Sequence, residues 1–473
     1  INLTTAGGPG GNITIHADDV EIVDTQDVIH AGNATVTIRP VTAGRPIDIG
    51  TDGSGSNLGL TDFEITRILA GTLVIGSTTS GPVTVSNPVG PAALAGKALS
   101  IITGDSITVL SSLTGPTLMT LTAGLNINLT ATGTLGSAIM SWNFGQNNLG
   151  STATITGTLQ ANTAVNITGG AGNDLLLFNF TSPTALPTAG IFTSGGGGND
   201  TLDAPNFHQF FQLTGPNIGS LAGVGGSYQG IISFASYENL LGGTADDTFF
   251  FLPGSSLSGN LDGVAGGTNK LDYSAFGAAV TIDLQNQTAT AIGGNWFHIN
   301  SFCGFSAPGI CSTLIGANLN TDWQITGLDS GTINALPFVQ FGNLIGGTQS
   351  DTFTFGALGQ LTCDIDGGAG INTIFGNDSP HTYSITGPNS GAIDGLFVGS
   401  VAPVGLNPLP TSILTPPAPP TRFTNIQNLV AGAGDDIFFF RTPGALTGTI
   451  TGGAGNNSLY GDNLSRTYTV TGG

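Results

Sequence analysis

Aspartates that close glycine-rich turns are the residues of this chain best placed to do chemistry. Asp174 ends Gly169-Gly170-Ala171-Gly172-Asn173-Asp174, Asp200 ends Gly195-Gly196-Gly197-Gly198-Asn199-Asp200, and Asp203 follows closely. Both turns match a Gly-Gly-x-Gly-x-Asp-x-apolar-x nonapeptide, a pattern that binds Ca2+ between stacked turns. Asp247, Asp351 and Asp436 end looser copies, and Asn372 and Asn457 stand where Asp would be in two more. Two readings stay open. In the first, Asp174, Asp200, Asp203, Asp247, Asp351 and Asp436 supply oxygen ligands to Ca2+, the one cofactor the sequence suggests. In the second, Gly and Asn provide left-handed corners, and each Asp or Asn caps its own turn.

Little else points to catalysis. His16, His30, His208, His298 and His381 are scattered without a recurring partner. Asp18-Asp19 sits in a strand-turn context and reads as a solvated turn. The chain is therefore not expected to be an enzyme. A glycan-cleaving reading would need a pair of carboxylates in one groove. Cys303 and Cys311 bracket a short loop and form the expected disulfide, leaving Cys363 over. No Cys/His spacing resembles a zinc site.

The elements that carry these turns follow from a repeat. Asn343-Leu344-Ile345-Gly346-Gly347 leads to Asp351-Thr352-Phe353-Thr354-Phe355, then to a second turn at Gly367 and the strand Tyr383-Ser384-Ile385-Thr386-Gly387. The order recurs from Asn239 and Asn428, with a looser copy from Gly169, giving units near 169–241, 242–345, 346–430 and 431–473. Self-similarity of this kind predicts coils stacked along an axis, a β-solenoid. Paired turns lie 26 residues apart at Gly169 and Gly195, and 21 apart at Gly346 and Gly367, close to one coil. The runs Phe249-Phe250-Phe251 and Phe438-Phe439-Phe440 should place alternate rings inside the coils. The Pro-rich run from Pro403 to Pro420 should be an extended surface loop.

Residues 1–165 form a second region of short alternating segments such as Asn12-Ile13-Thr14-Ile15 and Ile107-Thr108-Val109. Apolar residues at every second position predict half-buried strands. Thr61-Asp62-Phe63-Glu64 is a capping box, opening a short helix through Ile65, Ile68 and Leu69.

Here the sequence resembles known proteins. Asn2-Leu3-Thr4-Thr5, Gly11-Asn12-Ile13-Thr14-Ile15, Arg45-Pro46-Ile47-Asp48-Ile49-Gly50-Thr51 and Leu58-Gly59-Leu60-Thr61-Asp62 together resemble filamentous-haemagglutinin-like exoproteins of Gram-negative bacteria. The resemblance implies a right-handed parallel β-helix exported in very large chains, acting as an adhesin or cell-surface fibre. The turns at Gly169 and Gly195 are similar to RTX-type repeats, although those run in tandem and these are single.

Composition narrows the classes. Gly is 76 of 473 residues, and charged residues are 8% against about 25% in ordinary domains. Mean hydropathy is positive, which argues against disorder. The net charge is −21, with Lys97 and Lys270 the only lysines, which excludes nucleic acid and anionic membrane surfaces as partners. No run of 18 apolar residues is present to span a membrane.

Both chain ends fall inside strand patterns, so a longer polypeptide or end-to-end self-association into a filament is expected. The expected fold is all-β, a right-handed parallel β-helix with short helical and loop insertions. The expected role is an extracellular or cell-surface fibre, matrix component or adhesin, with a glycan or surface receptor as partner. The alternatives are a calcium-stabilised module of a larger exported toxin or enzyme, and a glycan-cleaving β-helix.

Overall fold

Alternation of Val, Ile, Leu and Thr with small polar residues leaves short strands that can bury only one face, and these strands build the molecule. The computed structural model describes residues 3–4, 10–53, 55–181, 186–226, 230–398, 422–462, 464 and 467. The Pro403–Pro420 run and most of both chain ends lie outside them. The structure is 47% strand and 3% helix, with long parallel sheets. It divides into two compact units, Ile1–Phe249 with Gly254–Thr268, and Phe250–Pro253 with Asn269–Gly473.

In the first unit one ladder runs in order through Thr72–Ser77, Ala98–Thr103, Leu118–Ala123, Thr134–Asn143, Thr158–Thr168, Ile191–Ser194 and Ile231–Ala235, all parallel. A second runs through Ile47–Ile49, Val83–Val85, Ile107–Val109, Ile127–Leu129, Thr152–Ile155, Leu175–Phe178 and Thr201–Asp203. In-register pairing stacks like on like: Val83, Ile107, Ile127 and Ala153 form one fully buried file. Each such Val or Ile contributes roughly 1.5–3 kcal/mol of burial. Both ladders continue through residue 165 without a break.

The second unit repeats the scheme with larger rings. Trp323 stacks on Phe353 at 5.6 Å and Tyr383 on Phe438 at 4.6 Å. Phe249, Phe251, Phe353 and Phe438 are buried, as the alternate-ring reading expected.

Two features differ from the sequence reading. The capping box at Thr61 and Glu64 is present, but the helix is Asp62–Thr66, and Ile68–Leu69 is a strand paired to Ile29–His30. Ile68 is fully buried there, so packing against the neighbouring strand ends the helix early. The second feature is a set of antiparallel meanders. Gln209–Gly215, Ile218–Gly223 and Ile231–Ala235 form one, and Asp322–Gly327, Ser330–Ile333 and Leu336–Val339 form another. In a third, Thr382–Gly387 and Ser390–Ile393 make the same hairpin. Each first hairpin turns on Asn217, Asp329 or Asn389, held at φ of 54°, 50° and 49°. Asn and Asp tolerate that left-handed region better than other residues with a side chain.

Candidate functional site

The aspartates singled out above sit at coil corners, where a strand leaves a glycine turn. Asp174, Asp200, Asp247, Asp351 and Asp436 are at most 2% exposed. Burial raises all five carboxyls above their ordinary range, Asp200 to about 6 and Asp247 to about 7. For Asp200 the nearby Asp174 and Glu238 charges add to the burial effect. Asp203 lies on the strand Thr201–Asp203, away from the corner, and burial raises it to about 6.

The corner carboxylates accept buried backbone N–H groups, and two of them do so in both directions. Asp351 Oδ2 accepts the Gly347 N–H of its own turn at 2.8 Å, and Oδ1 accepts the Thr321 N–H of the preceding coil at 2.9 Å. Asp174 does the same with Gly170 at 2.7 Å and Ser151 at 2.9 Å. Asp247 Oδ2 accepts Gly243 N–H at 2.8 Å, and Asp436 Oδ1 accepts His381 N–H at 2.8 Å. The chain of bonds continues outward. The backbone N–H of Asp174 donates to Asp200 Oδ1 at 2.7 Å, that of Asp200 to Glu238 Oε2 at 2.7 Å, and that of Asp351 to Asn372 Oδ1 at 2.9 Å. Each corner side chain thus satisfies a buried N–H that no strand ladder can reach.

Two turn types alternate. At 169–174, 242–247, 346–351 and 431–436 the glycine at the second position is outside the left-handed region and the turn ends in Asp. At 367–372 and 452–457 the second and fourth residues are glycines at φ of 72° and 91°, and 70° and 82°, and the turn ends in Asn. There the amide Nδ2 donates to a carbonyl, Asn372 to Ala369 at 3.2 Å and Asn457 to Ala454 at 3.0 Å. The turn at 195–200 has the second geometry, with Gly196 at 98° and Gly198 at 122°, yet carries Asp200. Its Oδ2 takes the amide's place and has no hydrogen-bond partner among the described residues.

A calcium site needs six to eight oxygens whose lone pairs converge on one point. Both carboxylate oxygens of Asp174 and Asp351 instead point at N–H donors. Among the described residues, no group of three or more His, Cys, Asp or Glu side chains is arranged to hold a metal ion. At Asp174 and Asp351 the donor set therefore does not fit Ca2+.

The cysteine expectation needs correction. The disulfide joins Cys311 to Cys363, with Cα atoms 6.4 Å apart, and Cys303 is a buried free thiol. The hairpin of Ser306–Ala307 with Ile310–Cys311 sets Cys311 opposite Ser306 rather than Cys303. Cys303 faces Gln340 Oε1 at 3.5 Å, and burial pushes its thiol up to about 12.

Of the histidines, His381 is buried between Asp394 O and Asn377 Oδ1, and His16 contacts the Arg39 guanidinium. Asp18 accepts the Val41 and Thr42 N–H groups, 23 and 24 residues along the chain, rather than closing a turn of its own. One carboxylate pair, Asp364 and Asp366, does line a groove of about 240 Å3 in the second unit, together with Arg422. Asp364 pairs with Arg422 at 3.4 Å, and Asp366 Oδ1 accepts from Gly368 at 2.9 Å and Asn425 at 2.7 Å.

Sequence reasoning missed a second set of polar locks. The hairpin residues Asn217, Asp329 and Asn389 accept backbone N–H bonds from Ser258, Thr362 and Thr447 in the next coil at 2.9, 2.7 and 2.8 Å. Their own N–H groups donate to Ser256, Gln360 and Ala445. The signal was the thrice-repeated Thr-Gly-x-Asn/Asp, at 214–217, 326–329 and 386–389, matched by Leu-Ser/Thr at 257–258, 361–362 and 446–447. Compared with known proteins, the chain matches no family model, no curated protein and no solved structure.

Proposed function

We propose that this chain is a structural module of an extracellular bacterial fibre or adhesin, each unit a right-handed parallel β-helix, with no catalytic role. The observation that carries the reading is where the buried polar groups go. Corner aspartates and hairpin Asx residues are used for coil-to-coil bonds at recurring positions. Stiffness along a stack is what such bonds supply. The Cys311–Cys363 disulfide suits an oxidising, extracellular setting. The acidic surface opposes side-by-side clumping and leaves end-to-end association as the favoured mode.

Shearing intact producing cells tests this reading. The chain should leave with the surface fraction and sediment with filamentous material. Recovery as a dispersed cytoplasmic protein would contradict it. A glycan-cleaving role would rest on Asp364 and Asp366, whose bonds to Arg422, Gly368 and Asn425 favour a structural use.

A further inference from the structure

One row of side chains crosses the first unit in strict register: Ser100, Thr120, Ser141, Asn166, Phe192 and Ser233, one from each successive parallel strand. Neighbours in such a row stand about 4.8 Å apart. All six point to the outer face, since the residues flanking each of them are buried or face inward. None of the five polar side chains is hydrogen-bonded to another protein group among the described residues. Phe192 is 50% exposed, with the Asn166 amide on one side and the Ser233 hydroxyl on the other. A groove of about 560 Å3 opens beside it, bordered by Gly190 and by Ile231, itself 55% exposed. That volume lies in the usual range for small-ligand sites, about 300–1,000 Å3.

We propose that this row binds an extended, uncharged polysaccharide, with Phe192 as the platform on which one sugar ring stacks. The proposal rests on reading the chain as a surface adhesive module and names what it adheres to. An aromatic face attracts the weakly positive C–H groups of a sugar ring. Flanking hydroxyl and amide groups can both donate and accept, as a polyol requires. Repetition of such groups from strand to strand suits a ligand that repeats.

Charge selects among ligands. No residue bordering the groove is charged, and residues 68–173 contain only Lys97 and Asp105 as charged groups, with Lys97 buried. Nothing there would hold phosphate or uronate, and a net charge of −21 repels them. A peptide adding as a β-strand is excluded here, because the strands carrying Ser141, Asn166 and Phe192 are paired on both edges.

Affinity electrophoresis of the full chain in gels containing β-glucan, xylan or galactomannan, with polygalacturonate as the charged comparator, tests the proposal. At least one neutral polymer should retard the protein, and polygalacturonate should not. Phe192→Ala should weaken retardation about tenfold, and Phe192→Trp should preserve it. Leu149→Ala, an exposed apolar change outside the row, should leave it unchanged. Melting temperatures of all three variants should stay close to the parent, since neither side chain is part of the buried core. No retardation by any neutral polymer would overturn the proposal, as would equal retardation of the Phe192→Ala protein. Loss of a concentration-dependent dimer in that variant would reassign the face to a second copy of the chain. A chain that sediments with surface fibres yet ignores every polymer would defeat this inference and leave the fibre reading standing.

Discussion

Asp200 is the residue at which sequence and geometry disagree most. Its turn is built like those ending in Asn372 and Asn457, with left-handed glycines at the second and fourth positions. An ionised Asp200 therefore sets Oδ2 where an amide would donate, and leaves it without a partner. Burial raises this carboxyl to about 6. A carboxyl raised in the folded state favours folding most below its ordinary value of 3.8, and the advantage is lost as pH rises through about 6. Asp200→Asn should therefore raise the melting temperature at pH 7.5 and flatten its change between pH 4.5 and 7.5. A lower melting temperature for the variant at pH 7.5 would contradict the turn assignment.

The calcium question belongs to the same scale. Asp174 and Asp351 were legible as turn residues, but their sequence pattern is equally that of a calcium ligand. Only the positions of the Ser151, Gly170, Thr321 and Gly347 N–H groups separate the two readings. The expected result is a melting temperature that is the same in excess chelator and in millimolar Ca2+, measured by circular dichroism. A rise of several degrees with Ca2+ would show that these corners hold the ion.

At the scale of elements, the hairpin locks should be measurable one at a time. Asn389→Ala removes the acceptor for Thr447 and forces a Cβ-bearing residue without a polar side chain into φ of 49°, costing about 2 kcal/mol. Asn389→Gly removes only the bond and should cost about 1 kcal/mol, so chemical denaturation should rank alanine below glycine. Equal stabilities for wild type and both variants would show the lock to be idle.

Parallel strands were legible because apolar residues recur at every second position over segments such as Ile107-Thr108-Val109. The meanders were not, because a hairpin strand such as Ser390–Ile393 does not alternate: its last three residues are all buried. The disulfide was misread for a related reason. Nearness in sequence suggested Cys303 with Cys311, while stacking brings Cys363, 52 residues away, to Cys311. Non-reducing peptide mapping should link the peptides carrying Cys311 and Cys363 and find Cys303 unmodified by alkylating reagent until the protein unfolds. Closing so long a loop stabilises by roughly 4 kcal/mol, so Cys363→Ser should lower the denaturation midpoint clearly. A mapped Cys303–Cys311 link would refute the assignment.

At the level of the molecule, coils are held to coils. A repeat of glycine turns, inward Ile, Val, Leu and Phe, and polar corner bonds serves stacking, and acidic groups outnumber basic ones 29 to 8. The low Lys content and the net charge of −21 made that imbalance legible from composition alone. Which outward row would meet a ligand was not legible, because register, not sequence spacing, aligns Asn166 with Phe192 and Ser233. Electron cryo-microscopy of the native material shows whether these coils continue into a fibre. Filaments containing this chain are expected, with a strong layer spacing of about 4.8 Å along the filament axis from strands stacked across it. Dispersed single particles, or filaments lacking that spacing along the axis, would contradict the fibre reading.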